Sequence, residues 1–176
     1  MSKMLNTPKK KIILVIGVLL VLFISWYAIS ANSDTRQSRA FRAMPQGSIQ
    51  VVNDEGQTVT LQLRVADVPA ARQAGFKGSG AQTVADNAIL LVYATDTAER
   101  HNVQNVKAAL EIGFFRADGT LIQISRTRMG ATTTYGTTGS ANRYRYAIMA
   151  PEGFFARNNI SVDGGASLVT TSLRKR

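Results

Sequence analysis

The feature that most constrains this chain is an uninterrupted apolar segment near its N-terminus. Residues 12–29 read IILVIGVLLVLFISWYAI without a charged side chain, and Lys9, Lys10 and Lys11 directly precede them. These eighteen residues would form an α-helix about 27 Å long, close to the hydrocarbon thickness of a bilayer. The sequence therefore predicts a single transmembrane helix over residues 12–30.

The residues that flank this segment predict its orientation. Lysines placed before a span hold that end in the cytoplasm, and no comparable cluster follows the segment closely. Trp26 and Tyr27 lie at its far end, where amphipathic rings favour the headgroup layer. We expect a bacterial inner or intracytoplasmic membrane protein, with residues 1–11 as a cytoplasmic basic tail and the C-terminal domain in the periplasm.

Two other interpretations of the apolar segment are less consistent with its sequence. Ala28-Ile29-Ser30 has the small-residue spacing of a signal peptidase site, but the apolar part of a signal peptide usually has about 7–15 residues. A buried helix of a globular domain would need a polar face, which the segment lacks. An uncleaved anchor is therefore the favoured interpretation.

Composition limits the chemistry and the partners of the rest of the chain. Beyond the anchor, roughly 145 of the 176 residues remain, enough for one domain. The chain has no cysteine, which excludes disulfides, thiol chemistry and thiolate metal sites. Its net charge is +10, of which the N-terminal tail carries +4, and the charge of the rest is dispersed except at Arg174, Lys175 and Arg176. We expect anionic lipid headgroups or acidic protein surfaces as partners, and no nucleic acid, because no aromatic–basic pattern is present.

The domain organisation follows from a change in composition after the anchor. Residues 31–47 are polar and end in Pro-Gln-Gly, which indicates a linker, and residues 48–176 form the domain. Phe41 and Met44 are two apolar side chains in this linker that we expect to dock on a neighbouring protein.

Alternating and apolar segments predict a mainly β domain of the α+β class with two short helices. Two hairpins are expected, one around the turn at residues 54–57 and one around Asp118-Gly119. One helix should start near Asp67 with Pro69 in its first turn, and the other should follow Pro151. The predicted strands are residues 48–53, 58–65, 88–93, 106–115, 120–125, 144–149 and 166–171, and residues 129–142 form a long, mobile Gly/Thr-rich loop.

Four stretches of the domain together resemble the bacterial and archaeal DUF192 family. They are LQLRVADVPAARQAGF, NAILLVY, NVKAALEIGFFRADGTLIQI and RYAIMAPEGFFARNNI, within about residues 58–170. The resemblance implies a small, mainly β domain like a distorted barrel, often secreted or membrane-attached and without a characterised activity.

The departures from the family pattern concern its polar positions. Residues 101–105 (HNVQN) stand where the family usually has Phe-Trp-Met-Lys-Asn, and only Asn105 is retained. Met149 replaces the usual Glu of the Arg-Tyr strand, and Glu111 replaces the Asp of Pro-Leu-Asp. A preserved framework with altered polar positions suits a scaffold that binds something else.

No group of residues in the sequence predicts a catalytic, cofactor or metal site. His101 is the only histidine and is expected to be an exposed loop residue. Asp118 should bond turn amides rather than act with Glu111 as an acid–base pair. Gly78-Ser79-Gly80 is not followed by a convincing helix, as a phosphate cradle requires.

Alternation in the strand at residues 144–149 separates two sets of side chains. It places Tyr144 and Tyr146 on one face and Arg143 and Arg145 on the other. The tyrosine face should be core, and the arginine face is a candidate partner surface because arginine is enriched in interfaces.

These observations predict a non-enzymatic, single-span accessory subunit of an integral membrane protein complex, photosynthetic or otherwise energy-transducing. Two alternatives remain, a small-ligand-binding module at a barrel mouth lined by the Gly/Thr loop and an enzyme of unrecognised type. The candidate partner-binding residues are Trp26, Tyr27, Phe41, Met44, Arg143, Arg145, Arg174, Lys175 and Arg176.

Overall fold

In this computed structural model, residues 8–139 and 142–173 are described. The helices are α1 (Pro8–Asp34), α2 (Arg39–Ala43), α3 (Pro69–Ala74), α4 (Ala81–Ala85) and α5 (Phe154–Arg157), with a 3-10 helix at Thr170–Leu173. The strands are β1 (Gln46–Val52), β2 (Thr58–Ala66), β3 (Ile89–Thr97), β4 (His101–Asn102), β5 (Leu110–Phe115), β6 (Leu121–Arg126), β7 (Thr134–Tyr135), β8 (Tyr144–Pro151) and β9 (Ser167–Leu168).

Seven strands form one sheet that nearly closes into a barrel. Their order is β6-β5-β8-β3-β2-β1-β9, and a bridge between Thr120 and Ser167 brings the two edges together. The Leu168 amide donates to the Gly119 carbonyl at 2.8 Å. Gly119 has φ +95° in the Asp-Gly turn, a conformation that other residues rarely adopt. The hairpin turn predicted from the sequence thus also helps to close the barrel.

The barrel interior is filled by apolar side chains. Side chains alternate along each strand, so that one apolar set faces the barrel interior and a second set faces the surrounding helices. The inner set includes Ile49, Leu63, Leu90, Phe115, Ile148 and Phe155. The centre of the barrel is thus packed with side chains, and a ligand site at its mouth stays a prediction.

A second apolar core covers the outer face of β3, β5 and β8. It is enclosed by α2, α3 and α4 and contains Phe41, Phe76, Leu91, Phe114 and Tyr144. Of the four short α-helices α2 to α5, the sequence predicted α3 and α5 but not α2 and α4. The mainly β, barrel-like class is confirmed, with few short helices around it.

The N-terminal segment is helical from Pro8 to Asp34. Its described side chains are those of residues 15–26, 33 and 34. Among the described residues, no helix combines the length and the apolarity needed to cross a membrane. The predicted linker at residues 31–47 is largely structured, since it contains the end of α1, the whole of α2 and the start of β1.

The two tyrosines of β8 do not share a face, which corrects the expectation from alternation. Tyr144 packs in the outer core and Tyr146 against the inner core. The β3–β8 pairing shifts register between the pairs Val92–Tyr146 and Thr97–Tyr144. This irregularity breaks the period of two on which the prediction relied.

Candidate functional site

Helix α1 presents its apolar side chains outward. Every large apolar side chain described in it is more than half exposed, and Phe23 and Trp26 reach 65%. These two rings are neighbours, with centroids 6.4 Å apart. The predicted role of Trp26 at a membrane interface stays a prediction. The side chain of Tyr27 and residues 174–176 lie outside the part of the chain that is described.

The chain at the C-terminal end of α1 is held by Gly80 and Thr83, at the start of α4. The Gly80 amide donates to the Arg36 carbonyl at 2.7 Å, and the Thr83 hydroxyl donates to the carbonyls of Thr35 at 3.1 Å and Arg36 at 3.2 Å. A Cβ atom at Gly80 would collide with the backbone carbonyl of Asp34. We call this contact of residues 33–36 with Gly80 and Thr83 the helix seat.

The Gly78-Ser79-Gly80 segment forms part of the helix seat and its surroundings. A helix does follow it, contrary to the prediction, but α4 has only five residues. The Gly80 amide is occupied by a backbone carbonyl, and the Ser79 hydroxyl accepts the Ser38 amide at 3.3 Å. The segment therefore binds its own chain rather than a phosphate.

Helix α2 ties the segment after α1 into the outer core. Phe41 and Met44 are 0% and 2% exposed. The Phe41 ring stacks on Phe76 at 5.5 Å between centroids, and the Arg64 guanidinium lies 5.3 Å from the Phe41 centroid. The domain's own core takes up both side chains, which corrects the expectation that they contact a neighbouring protein.

Three arginines surround a surface groove of about 500 Å³ beside the end of α1. Arg36, Arg39 and Arg42 are exposed, and their guanidinium groups form no ion pair among the described residues. We call this surface the arginine groove. Sequence reasoning missed it, because the three residues are spread over the predicted linker and only α2 gathers them.

A cavity of about 260 Å³ lies between α3 and β4. Its walls include both retained and altered positions of the family pattern described above: Arg72, Gly75, Phe76, His101, Asn102 and Met149. Arg72, Gly75 and Phe76 belong to the first stretch that resembles the family, whereas His101, Asn102 and Met149 depart from the family pattern. These three departures therefore lie on one connected surface of the molecule, and Glu111 lies elsewhere.

His101 is buried, not exposed in a loop as predicted, and only 5% of its surface is accessible. The reason is the pairing of β4 with β7, which comes from the distant Gly/Thr-rich segment. Burial, with a smaller contribution from the Arg72 charge, lowers the pKa of His101 to about 4. The imidazole is therefore neutral at pH 7.

The Tyr144 hydroxyl fixes the tautomer of this imidazole. It lies 2.6 Å from the Glu99 carbonyl oxygen and 2.9 Å from Nε2 of His101. A carbonyl only accepts, so the single hydroxyl hydrogen goes to Glu99 and the hydroxyl oxygen accepts from His101 Nε2–H. Nδ1 is left with its lone pair on a ring that lines the cavity.

Arg72 lies beside this histidine and forms no ion pair with an acidic side chain among the described residues. Its Nη1 donates to the carbonyls of Asp67 at 2.6 Å and Val92 at 2.9 Å, and its guanidinium carbon lies 4.5 Å from the Tyr93 centroid. The buried Nε of Arg72 and the Tyr93 hydroxyl have no hydrogen-bond partner within the described residues. Burial raises the pKa of Tyr93 to about 12, so this phenol is also neutral.

The two carboxylates considered in the sequence have separate structural roles. Asp118 accepts the Thr120 amide at 2.9 Å, which lowers its pKa and confirms its role in the turn. Glu111 is 2% exposed, pairs with Arg126 at 3.1 Å and accepts the Phe155 amide at 3.3 Å. Within residues 8–139 and 142–173, no group of three or more metal-ligating side chains is found.

The two arginines of the predicted arginine face both contact Asp96. Arg143 donates to the Asp96 carbonyl at 2.9 Å, and Arg145 pairs with the Asp96 carboxylate at 2.8 Å. Arg143 is exposed and Arg145 is half-buried. Their role in binding a partner stays a prediction.

Comparison of the fold with solved structures identifies two similar proteins. A candidate transcription regulator from Sinorhizobium meliloti 1021 matches with a TM-score of 0.61 and 19% identity, covering 71% of this chain and 93% of that one. A protein of unknown function from Novosphingobium aromaticivorans DSM 12444 matches with a TM-score of 0.60 and 15% identity, covering 76% and 97%. At such identities the likeness shows the fold alone.

Sequence comparison gives the family. No curated protein matches this sequence. The model of the DUF192 family, described as "Uncharacterized ACR", matches residues 50–167, from the end of β1 to the start of β9. The match spans the barrel and the cavity between α3 and β4, and the chain therefore belongs to the DUF192 family.

Proposed function

We propose that this protein is a membrane-tethered accessory subunit of a bacterial membrane protein complex and that it acts by binding rather than by catalysis. The observation that carries the proposal is the outward-facing apolar surface of α1, whose large side chains at residues 15–26 are more than half exposed. Exposed apolar surface of this extent needs a lipid or protein environment. The apolar sequence continues to residue 29, which is long enough for a span.

The connection between α1 and the domain supports this role. Four residues separate α1 from α2, and the helix seat holds them against α4. The domain is thereby kept at the end of the helix, where a subunit must lie to contact neighbours at a membrane surface. With the N-terminal lysines in the cytoplasm, we place the domain in the periplasm. The partner we propose is an integral membrane complex, with photosynthetic and other energy-transducing assemblies as the first to examine.

The first experiment tests the anchor. The full chain is expressed in a bacterial host, and its membranes are washed with alkaline carbonate. We expect the protein to stay in the pellet, and a variant with Leu20→Arg and Phe23→Arg to be released, because charges at a span centre oppose insertion. A matched Arg116→Gln and Arg128→Gln variant should behave as the parent. Release of the parent protein would refute the anchor.

The second experiment tests the subunit role. The protein is extracted from its native membranes in a mild detergent, and the co-migrating proteins are identified by mass spectrometry. Stoichiometric co-migration with one membrane assembly is expected. Migration as a lone monomer from membranes that retain it would leave the anchor intact and refute the subunit role.

A further inference from the structure

The cavity between α3 and β4 carries a net positive charge. Arg72, Lys77 and Arg100 line it, together with a single carboxylate, that of Glu99. The two ion pairs of the described residues lie elsewhere in the domain. At neutral pH the cavity therefore favours an anion, because the walls hold three cations and one acid.

Arg72 makes this preference specific. Among the described residues, its hydrogen bonds go to the neutral backbone carbonyls of Asp67 and Val92, and its Nε is buried without an acceptor. Covering a guanidinium without an opposite charge is unfavourable, so a carboxylate in the cavity would supply the missing counter-charge. Lys77, which is half-buried, also lines the cavity, and its side chain forms no ion pair within the described residues.

His101 adds a hydrogen-bond acceptor to the same walls. Tyr144 holds the hydrogen on Nε2, so Nδ1 keeps a lone pair and has no donor among the described residues. A ligand that satisfies this atom must bring a donor of its own. A hydroxyl group is the simplest neutral donor that fits beside an anion.

The remaining walls set the size and the carbon skeleton of the ligand. A cavity of about 260 Å³ has the volume of about nine water molecules, at the low end of the range for ligand sites. This volume excludes a dinucleotide. Phe76, Val106 and Met149 provide an apolar wall, which suits a short carbon chain.

We propose that this cavity binds a small hydroxycarboxylic acid. Its carboxylate lies toward Arg72 and Lys77, its hydroxyl donates to Nδ1 of His101, and its carbon chain lies along Val106 and Met149. This assignment is independent of the proposed membrane role, since every residue in it belongs to the domain.

The test uses the full chain in detergent micelles with isotope-labelled histidine. The chain has one histidine, so the imidazole signals report the cavity without ambiguity. L-lactate, propionate and glycerol are titrated separately at pH 7. Lactate and propionate differ in the hydroxyl, and glycerol lacks the charge. We expect a saturable shift with lactate, about tenfold weaker binding of propionate, and none of glycerol.

Two variants connect the binding to the cavity. Lys77→Gln should weaken lactate binding about tenfold, whereas Lys107→Gln, an exposed lysine outside the cavity, should leave it unchanged. Both substitutions should leave the fold intact, which the imidazole spectrum of the free protein checks. Equal binding of lactate, propionate and glycerol, no saturable shift with any of them, or an effect of Lys107→Gln equal to that of Lys77→Gln would each overturn the proposal.

Discussion

The Tyr144 hydroxyl lies 2.9 Å from Nε2 of His101 and joins a strand of the main sheet to the two-stranded ribbon of β4 and β7. The same hydroxyl donates to the Glu99 carbonyl at 2.6 Å. The buried Tyr144 phenol thus positions the Glu99 backbone and the His101 imidazole, which both line the cavity between α3 and β4.

Replacement of this phenol should destabilise the domain. Tyr144→Phe leaves the Glu99 carbonyl without a donor and the His101 Nε2–H without an acceptor, which we expect to cost about 1–3 kcal/mol. The measurement is the free energy of unfolding in urea. Tyr146→Phe is the control, since the Tyr146 side chain is only partly buried, and it should change stability by less than about 0.5 kcal/mol. Equal effects would contradict the role of Tyr144.

Stability should fall as the pH falls from about 6.5 to about 4. The pKa of His101 is lowered to about 4 in the folded chain, against about 6.5 in an unfolded one. Between these values the unfolded state binds more protons, so stability rises with pH through this window. His101→Phe should lose this contribution, about 3 kcal/mol. Unfolding free energies of both proteins at pH 7 and pH 4 give the comparison, and parallel pH curves would refute it.

The segment after α1 should depend on Phe41 for its attachment. Phe41→Ala removes a fully buried ring and should cost about 3–5 kcal/mol. Met129→Ala truncates a side chain that is 71% exposed and should be nearly neutral. Urea unfolding measures both, and limited proteolysis should show new cleavage near residues 35–45 in Phe41→Ala alone. An unchanged cleavage pattern would contradict the attachment.

The Glu111–Arg126 pair should respond asymmetrically to mutation. The Glu111 side chain is 3% exposed and that of Arg126 is 73% exposed. Arg126→Ala leaves a buried carboxylate with only the Phe155 amide as a partner, whereas Glu111→Gln leaves an arginine that water can solvate. We expect Arg126→Ala to be the more destabilising change, by about 1 kcal/mol or more. The reverse order in thermal unfolding would refute this account.

The arginine groove should select anionic lipid if α1 lies in a membrane. Replacing Arg36, Arg39 and Arg42 by Gln should lower the anionic fraction of the lipids retained in polymer nanodiscs. A contribution of about 1 kcal/mol per arginine corresponds to about fivefold per residue. Gln substitutions at Lys107, Arg116 and Arg128 serve as the charge-matched control. Identical lipid compositions in the two variants would show that the groove does not bind lipid.

The parts of the fold that were predicted from the sequence are those set by local chemistry. The β5–β6 hairpin follows from Asp118-Gly119, which needs the positive φ that glycine allows. Helix α3 follows from Pro69 at its start and Gly75 at its end. The family resemblance then supplied the barrel-like arrangement, which no local signal contains.

The parts that were missed depend on contacts between distant residues. Helix α4 has no side-chain cap, and it is stabilised by Thr83, which bonds to carbonyls almost fifty residues earlier. His101 is buried because β7, more than thirty residues later, pairs with it. The cavity itself could have been anticipated in outline, since three altered positions of the family pattern, His101, Asn102 and Met149, line it.

The helix seat at Gly80 has a mechanical consequence. A flexible linker would let the domain explore a wide volume above a membrane, with low effective concentration at any one point. Here the chain between α1 and α2 is hydrogen-bonded to α4, so it does not act as a flexible linker. If α1 spans a membrane as proposed, the domain is held at a fixed distance from the bilayer. A partner would then be selected by the height of its own surface above the bilayer as well as by its chemistry.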